Sequence, residues 1–318
     1  MTMKLPVFKT VGASFSYIIA HFLTIVKIAW LPVLAMLAVQ LLVMPDLFDA
    51  QQKMMDIDPN ADPAAAFEHM RPMAAAAGKI YLAMAIFYPM VFTGLLRHVI
   101  LGESPRLPFY FAFGAGELRI IGSTLLLLGL FTLVYFVGVV ALAAIIAVLG
   151  MLAGVLGAAG ASVAGVVGAA LMFAWIVAMI WFCLRMSLVY PACIGERKIG
   201  VAASWALTKG STISLALYWG VWWGLMILMS IIWLALMGIG YADLLVELFN
   251  NASDPQAAAE IQRKLFDLQR SLWSLSDLRS ISFVIVGYAL TIVWTALMVA
   301  PAGVAYRFLK GTQGAGSN

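Results

Sequence analysis

The 65 residues from Ile120 to Leu184, "IIGSTLLLLGLFTLVYFVGVVALAAIIAVLGMLAGVLGAAGASVAGVVGAALMFAWIVAMIWFCL", contain no Asp, Glu, Lys, Arg or His. A helix that crosses a bilayer needs about 20 apolar residues. The stretch is too long for one span and fits two, joined as a hairpin. Gly150, Gly154, Gly157, Gly160, Gly165 and Gly168 crowd its middle. They predict a tight turn there and close approach of the two limbs. A glycine-lined pore is the alternative, and helix packing is the simpler use of the same residues.

The rest of the chain has the same character. Of 318 residues 64% are hydrophobic and 11% are charged, against roughly 25% charged in a soluble domain. Such a chain cannot cover a water-facing surface with charge. We expect one all-α polytopic membrane domain over 1–318 with six spans, near 22–44, 74–97, 120–148, 162–189, 213–240 and 281–306. Lys4 and Lys9 precede the first apolar run as they would in a signal peptide. That run is too long for one and is interrupted by Lys27, so a retained first helix is expected. The net charge of +4 is not gathered into a basic, aromatic-laced stripe, which argues against nucleic acid as a partner. Cys183 and Cys193 form no CxxC pair, and no HxxxH or HExxH occurs. Neither a metal nor another cofactor is expected.

Charge sets the expected topology. With both termini on one side, that side receives twelve of the 19 Lys and Arg residues, and the other side seven. The excess of basic residues marks the cytoplasm, so both termini are expected inside. Two outer segments remain, 45–73 and 241–280. In the first, Asp62 and Pro63 signal a helix start. In the second, Ser253 or Asp254 followed by Pro255 signals another. There Ile261, Leu265, Leu268 and Leu272 form one apolar stripe. That helix is expected to pack on its own bundle, with the membrane surface or a partner as alternatives.

A pattern recurs along the chain. Segments starting at Phe8, Phe109 and Gly200 each offer a short amphipathic stretch before a span. Pro89, Pro191 and Pro301 each stand near the inner end of an even-numbered span. This suggests three pseudo-repeated units, 5–98, 105–197 and 199–310, each an interfacial helix plus a hairpin. In the first, Val7, Val11, Phe15 and Ile18 are expected to face acyl chains while Lys4 and Lys9 meet lipid phosphates.

The stretch "RMSLVYPACIGERKIGVAASWALTKGS" (185–211) resembles the signature region of the six-span membrane domain attached to some glycerophosphoryl diester phosphodiesterases. It is similar, too, to stand-alone bacterial inner-membrane proteins related to that domain. The matching residues are Arg185, Pro191, Glu196, Ser204, Trp205, Leu207, Lys209 and Gly210. The match covers about 30 residues and is only hydropathic elsewhere. It implies a bacterial inner-membrane location and a six-helix fold. It does not imply phosphodiesterase activity, since no catalytic barrel accompanies these residues.

No catalytic constellation stands out. There is no GxSxG elbow and no phosphate-cradling P-loop. Asp56 and Asp58 sit in a proline-rich loop, where a solvated acidic patch is the simple reading. No Asp or Glu falls well inside a span, which counts against ion-coupled transport. The charges that remain near the inner face suggest a non-enzymatic protein that binds or organises anionic lipids, a membrane-protein partner or further copies of itself. Arg185, Glu196, Lys209, Arg97 and Lys27 are the candidate ligand-binding residues. Arg185, six residues before Pro191, is within snorkelling reach of the interface and is expected to serve as an anchor there. The sharper alternative is that it faces the bundle and pairs with a lipid phosphate, Glu196 or Glu117, or with the Ser187 carbonyl freed by Pro191. A permease-like pathway for a small amphiphile is the first alternative, and a membrane-embedded lipid enzyme the second.

Overall fold

The computed structural model describes residues 5–55, 63–105, 110–239, 246–247 and 255–315. It is 90% helical, without strands among the described residues, and six helices are long and apolar enough to cross a membrane. They occupy Phe22–Met55, Met70–Leu101, Ala115–Val155, Gly160–Glu196, Thr212–Ile231 and Leu278–Gly311, matching the six expected spans in number and order.

Helix α1 (Val7–Ala20) ends at His21, and α2 (Phe22–Met55) starts at once. Pro32 and Pro45 lie inside α2. Helices in lipid tolerate proline because neighbouring groups take over the freed backbone. The chain therefore stays helical through Met55, ten residues into the segment 45–73 expected to lie outside the span. Helix α3 (Pro63–Leu101) opens on Pro63 as expected, whereas Asp62 falls outside the described residues.

The charge-free stretch lies within α4 (Ala115–Met186), whose one non-helical residue is Gly157, at φ 69° and ψ −152°. That conformation is essentially open only to glycine, and the chain reverses there. The limbs return so closely that a Cβ on Gly138 would stand 1.9 Å from the Trp175 ring. The hairpin is real, but its seam is narrow. Leu127, Leu130, Val134 and Leu142 are partly covered, as are Leu171, Trp175 and Met179, while nearly every other large side chain from Leu125 to Ile180 is exposed.

After α4 come the short helices α5 (Val189–Glu196) and α6 (Val201–Leu207), then α7 (Thr212–Ile239), α8 (Pro255–Leu272) and α9 (Leu278–Ala315). Helix α8 buries Ile261 and Leu272 and packs on the C-terminal end of α2. Phe266 meets Phe48 edge-on at 5.6 Å, and Arg270 reaches Asp49 at 2.7 Å. Its stripe thus faces its own bundle. Ser253 and Asp254, the expected caps, lie outside the described residues.

The core forms where α2, α3 and α9 meet, around Ile25, Ile28, Leu95, Leu96 and Ala296, all nearly inaccessible. Span five is clasped to span six by two hydrogen bonds. Pro301 has no N–H for the carbonyl of Leu297, four residues earlier. Trp222 Nε1 donates to that carbonyl instead, at 2.7 Å, and Tyr218 Oη donates to the Pro301 carbonyl at 3.0 Å.

Two expectations change. The Val11–Phe15–Ile18 stripe of α1 packs on the bundle rather than on acyl chains, with Phe15 4.8 Å from Trp222. Thr10 and Ser14 on the same side satisfy their hydroxyls on backbone carbonyls, and Ser14 also meets Tyr218 at 3.0 Å. The exposed Phe8 and Ile19 are left to face lipid. The three proposed units also differ locally. Residues 110–114 ahead of the third span are not helical. Pro89 and Pro301 sit inside long helices, whereas Pro191 sits in the separate α5.

Candidate functional site

Span four stops at Met186. Ser187 turns back, its N–H and Oγ both donating to the Leu184 carbonyl at 3.3 and 2.8 Å. Helix α5 then restarts with Pro191 in its first turn, where the missing N–H would have had no helical partner anyway. Arg197, at φ 54°, closes α5 in the left-handed conformation. Gly200 follows where only glycine fits, since a Cβ there would stand 2.1 Å from the Val189 carbonyl oxygen. The chain doubles back, and α6 lies against the end of span four.

This fold-back encloses Arg185. Its own carbonyl accepts from Ser204 Oγ at 2.8 Å and from Thr208 Oγ1 at 3.3 Å, so α6 is pinned to the arginine's backbone. The guanidinium carbon stands 4.5 Å from the Trp205 ring centre and 5.8 Å from that of Trp181, and the two indoles meet edge-to-face at 5.3 Å. A guanidinium over an indole face gains about 0.5–2 kcal/mol. Arg185 is only 5% exposed, and its Nε has no hydrogen-bond partner. Among the described residues no carboxylate lies within ion-pair distance of it.

The expected partners of Arg185 are engaged elsewhere. Glu196 accepts from Tyr306 Oη at 3.0 Å and pairs with Lys310. Glu117 is 2% exposed and accepts from Tyr110 Oη and the Gly114 N–H, both at 2.9 Å. The guanidinium makes no hydrogen bond to the Ser187 carbonyl among the described residues and lies against the indoles instead. Arg97 pairs with Glu103 at 2.8 Å and lies beside Tyr110, whose phenol donates to Glu117. Burial first, and the Glu117 carboxylate second, push the Tyr110 phenol up to about 12. Lys27 and Lys209 are exposed, without ion pairs among the described residues. The five candidate residues thus do not assemble into one site; Arg185 alone is buried without a counter-ion.

Two groupings were not anticipated. Tyr110 and Glu117 had a sequence signal: a glutamate three residues after Gly114, at a helix start, is the spacing of a capping glutamate. His21, after α1, and His98, in the last turn of α3, meet edge-to-face at 5.0 Å beside Tyr17. No group of three metal-ligating side chains occurs among the described residues. Cys193 is buried against Ser123 Oγ at 2.8 Å and the Gly200 N–H at 3.1 Å, as a small packed group would be.

The fold and this fold-back define a multi-pass α-helical membrane protein with a caged arginine at the termini-side end of its fourth span. Comparison with protein-family models, with curated proteins and with solved structures returned no match.

Proposed function

We propose that this protein is a non-enzymatic component of a bacterial inner membrane that binds the phosphate of an anionic lipid at Arg185, on a cytoplasmic face that holds both termini. One observation carries the reading: a guanidinium buried at the end of a membrane span, stacked on indole, with no carboxylate partner among the described residues. A lone buried charge in a membrane protein is costly. A lipid phosphate offers the missing counter-charge, and the planar fork of arginine matches two of its oxygens. The indoles of Trp181 and Trp205, both substantially exposed, suit the headgroup region, where such rings collect. The resemblance of residues 185–211 to an inner-membrane domain supports the same location.

Arg185→Lys tests it, because lysine keeps the charge and reaches the interface but cannot make the two-pronged contact. Wild type in nanodiscs containing phosphatidylglycerol should retain that lipid in native mass spectrometry. Arg185→Lys should lose most of it while unfolding at the temperature of wild type. Equal retention by both proteins would refute the reading.

A further inference from the structure

The clasp between spans five and six lies in their termini-side halves, at Tyr218 and Trp222. Towards the opposite side α7 and α9 part, and a groove of about 700 Å³ opens between them, floored by α2 and α3. That volume is in the range of small-molecule sites, roughly 300–1,000 Å³. Its walls are apolar, among them Met36, Met229, Phe283 and Trp294, and no Asp, Glu, Lys, Arg or His lines it.

Its polar groups divide into two sets. Ser230, Thr291 and Thr295 donate to carbonyls of their own helices at 2.7–2.8 Å, and Tyr288 donates to the Trp30 carbonyl at 2.7 Å. These are spent. The Gln40 amide and the Tyr88 phenol also line the groove, but neither has a hydrogen-bond partner among the described residues. These donors, with the indole N–H groups of Trp273 and Trp294, which also line the groove without a hydrogen-bond partner among the described residues, lie within otherwise apolar walls inside a bilayer and call for a ligand that is mostly hydrocarbon and carries uncharged acceptors. A charged headgroup would meet no counter-charge.

We propose that this groove holds an acyl chain of a glycerolipid, with the ester carbonyl accepting from Gln40 Nε2 and Tyr88 Oη. The site is distinct from the caged arginine and selects the ester and chain, not the headgroup charge. Gly287 gives the test a clean handle. It lines the groove, and a Cβ placed there would meet no heavy atom within 4 Å. A larger side chain at 287 can therefore occupy the groove without displacing protein.

The experiment is native mass spectrometry of the full-length, detergent-solubilised protein titrated with dioleoylglycerol, which has no phosphate for Arg185 to hold. Wild type and Arg185→Lys should both bind one dioleoylglycerol. Gly287→Phe should bind none while unfolding no earlier than wild type. Gln40→Leu and Tyr88→Phe should each bind roughly tenfold more weakly, the loss expected of one buried hydrogen bond. If Gly287→Phe fails to fold, Gly287→Leu and Gln40→Leu supply the same comparison. Equal binding by wild type and the position-287 variants, unchanged binding by Gln40→Leu, or detergent as the only adduct would each overturn the proposal.

Discussion

Replacing Trp222 with Phe should show how strongly span six depends on span five for its backbone. Trp222 is 2% exposed, and its Nε1 is the partner of the Leu297 carbonyl that Pro301 leaves free. Trp222→Phe removes the donor and some ring volume. An orphaned buried carbonyl costs about 1–3 kcal/mol, while interhelical hydrogen bonds in membranes contribute about 0.6–2 kcal/mol. A polar cost of about 1–2 kcal/mol is therefore expected, with a packing loss added. The two parts separate in a Pro301→Ala background, where the introduced alanine supplies the N–H that restores the helical bond to Leu297. There Trp222→Phe should cost only its packing part, so the double-mutant cycle should give a coupling of about 1–2 kcal/mol. Equilibrium unfolding of the four proteins in mixed micelles measures it. If Trp222→Phe costs the same in both backgrounds, within about 0.5 kcal/mol, the indole is not standing in for the missing N–H.

Gly157→Ala should destabilise the hairpin by about 1–3 kcal/mol through backbone strain alone, because a Cβ there meets no heavy atom within 4 Å; Gly154→Ala, in a helical and equally open position, should be neutral or stabilising in the same thermal assay. The Tyr110 phenol is held up to about 12 in the fold against about 10 when unfolded, so its contribution is complete below pH 10 and is lost as pH rises from 10 towards 12. Tyr110→Phe should flatten that part of the profile of unfolding temperature against pH. Reporter fusions at Gly316 should read as cytoplasmic and insertions after Ser274 as external; the opposite result at either position would refute the proposed orientation.

Hydropathy alone made the six spans legible, because a bilayer demands long apolar runs whatever their partners. The hairpin was equally legible, since 65 residues without charge cannot be one span, although which glycine turns it is a matter of φ and ψ at one residue. Helix ends were less legible: Pro45 looks like a stop, yet α2 runs on to Met55 because α8 packs on that extension, and α8 lies some 200 residues away in sequence. The stripe on α1 was visible, but its partner was not, because an apolar face reads the same whether it meets lipid or a neighbouring helix. At Arg185 the helix break near Pro191 could be foreseen, but the burial could not, because an arginine that close to a span end reads equally as a snorkelling anchor. The indole cage could not, since it depends on how tightly the chain folds back through Gly200.

The narrow seam of the α4 hairpin also matters for the bilayer. Its limbs run over Ala115–Val155 and from Gly160 to the break at Met186, and rise roughly 60 and 40 Å against a hydrocarbon thickness of about 30 Å. From Ile120 to Leu184 neither limb carries a charge that could fix its depth. This is a large positive hydrophobic mismatch, and it has to be absorbed by tilt, by local thickening of the lipid, or by the Gly157 tip leaving the hydrocarbon, each costing fractions of a kcal/mol per Å. The hairpin contacts the remaining helices mainly at its base, around α3, α5 and α6. Membrane thickness therefore acts on a long lever whose fulcrum is the chain break beside Arg185, so that a thinner membrane inclines the hairpin further from the bundle and a thicker one brings it upright.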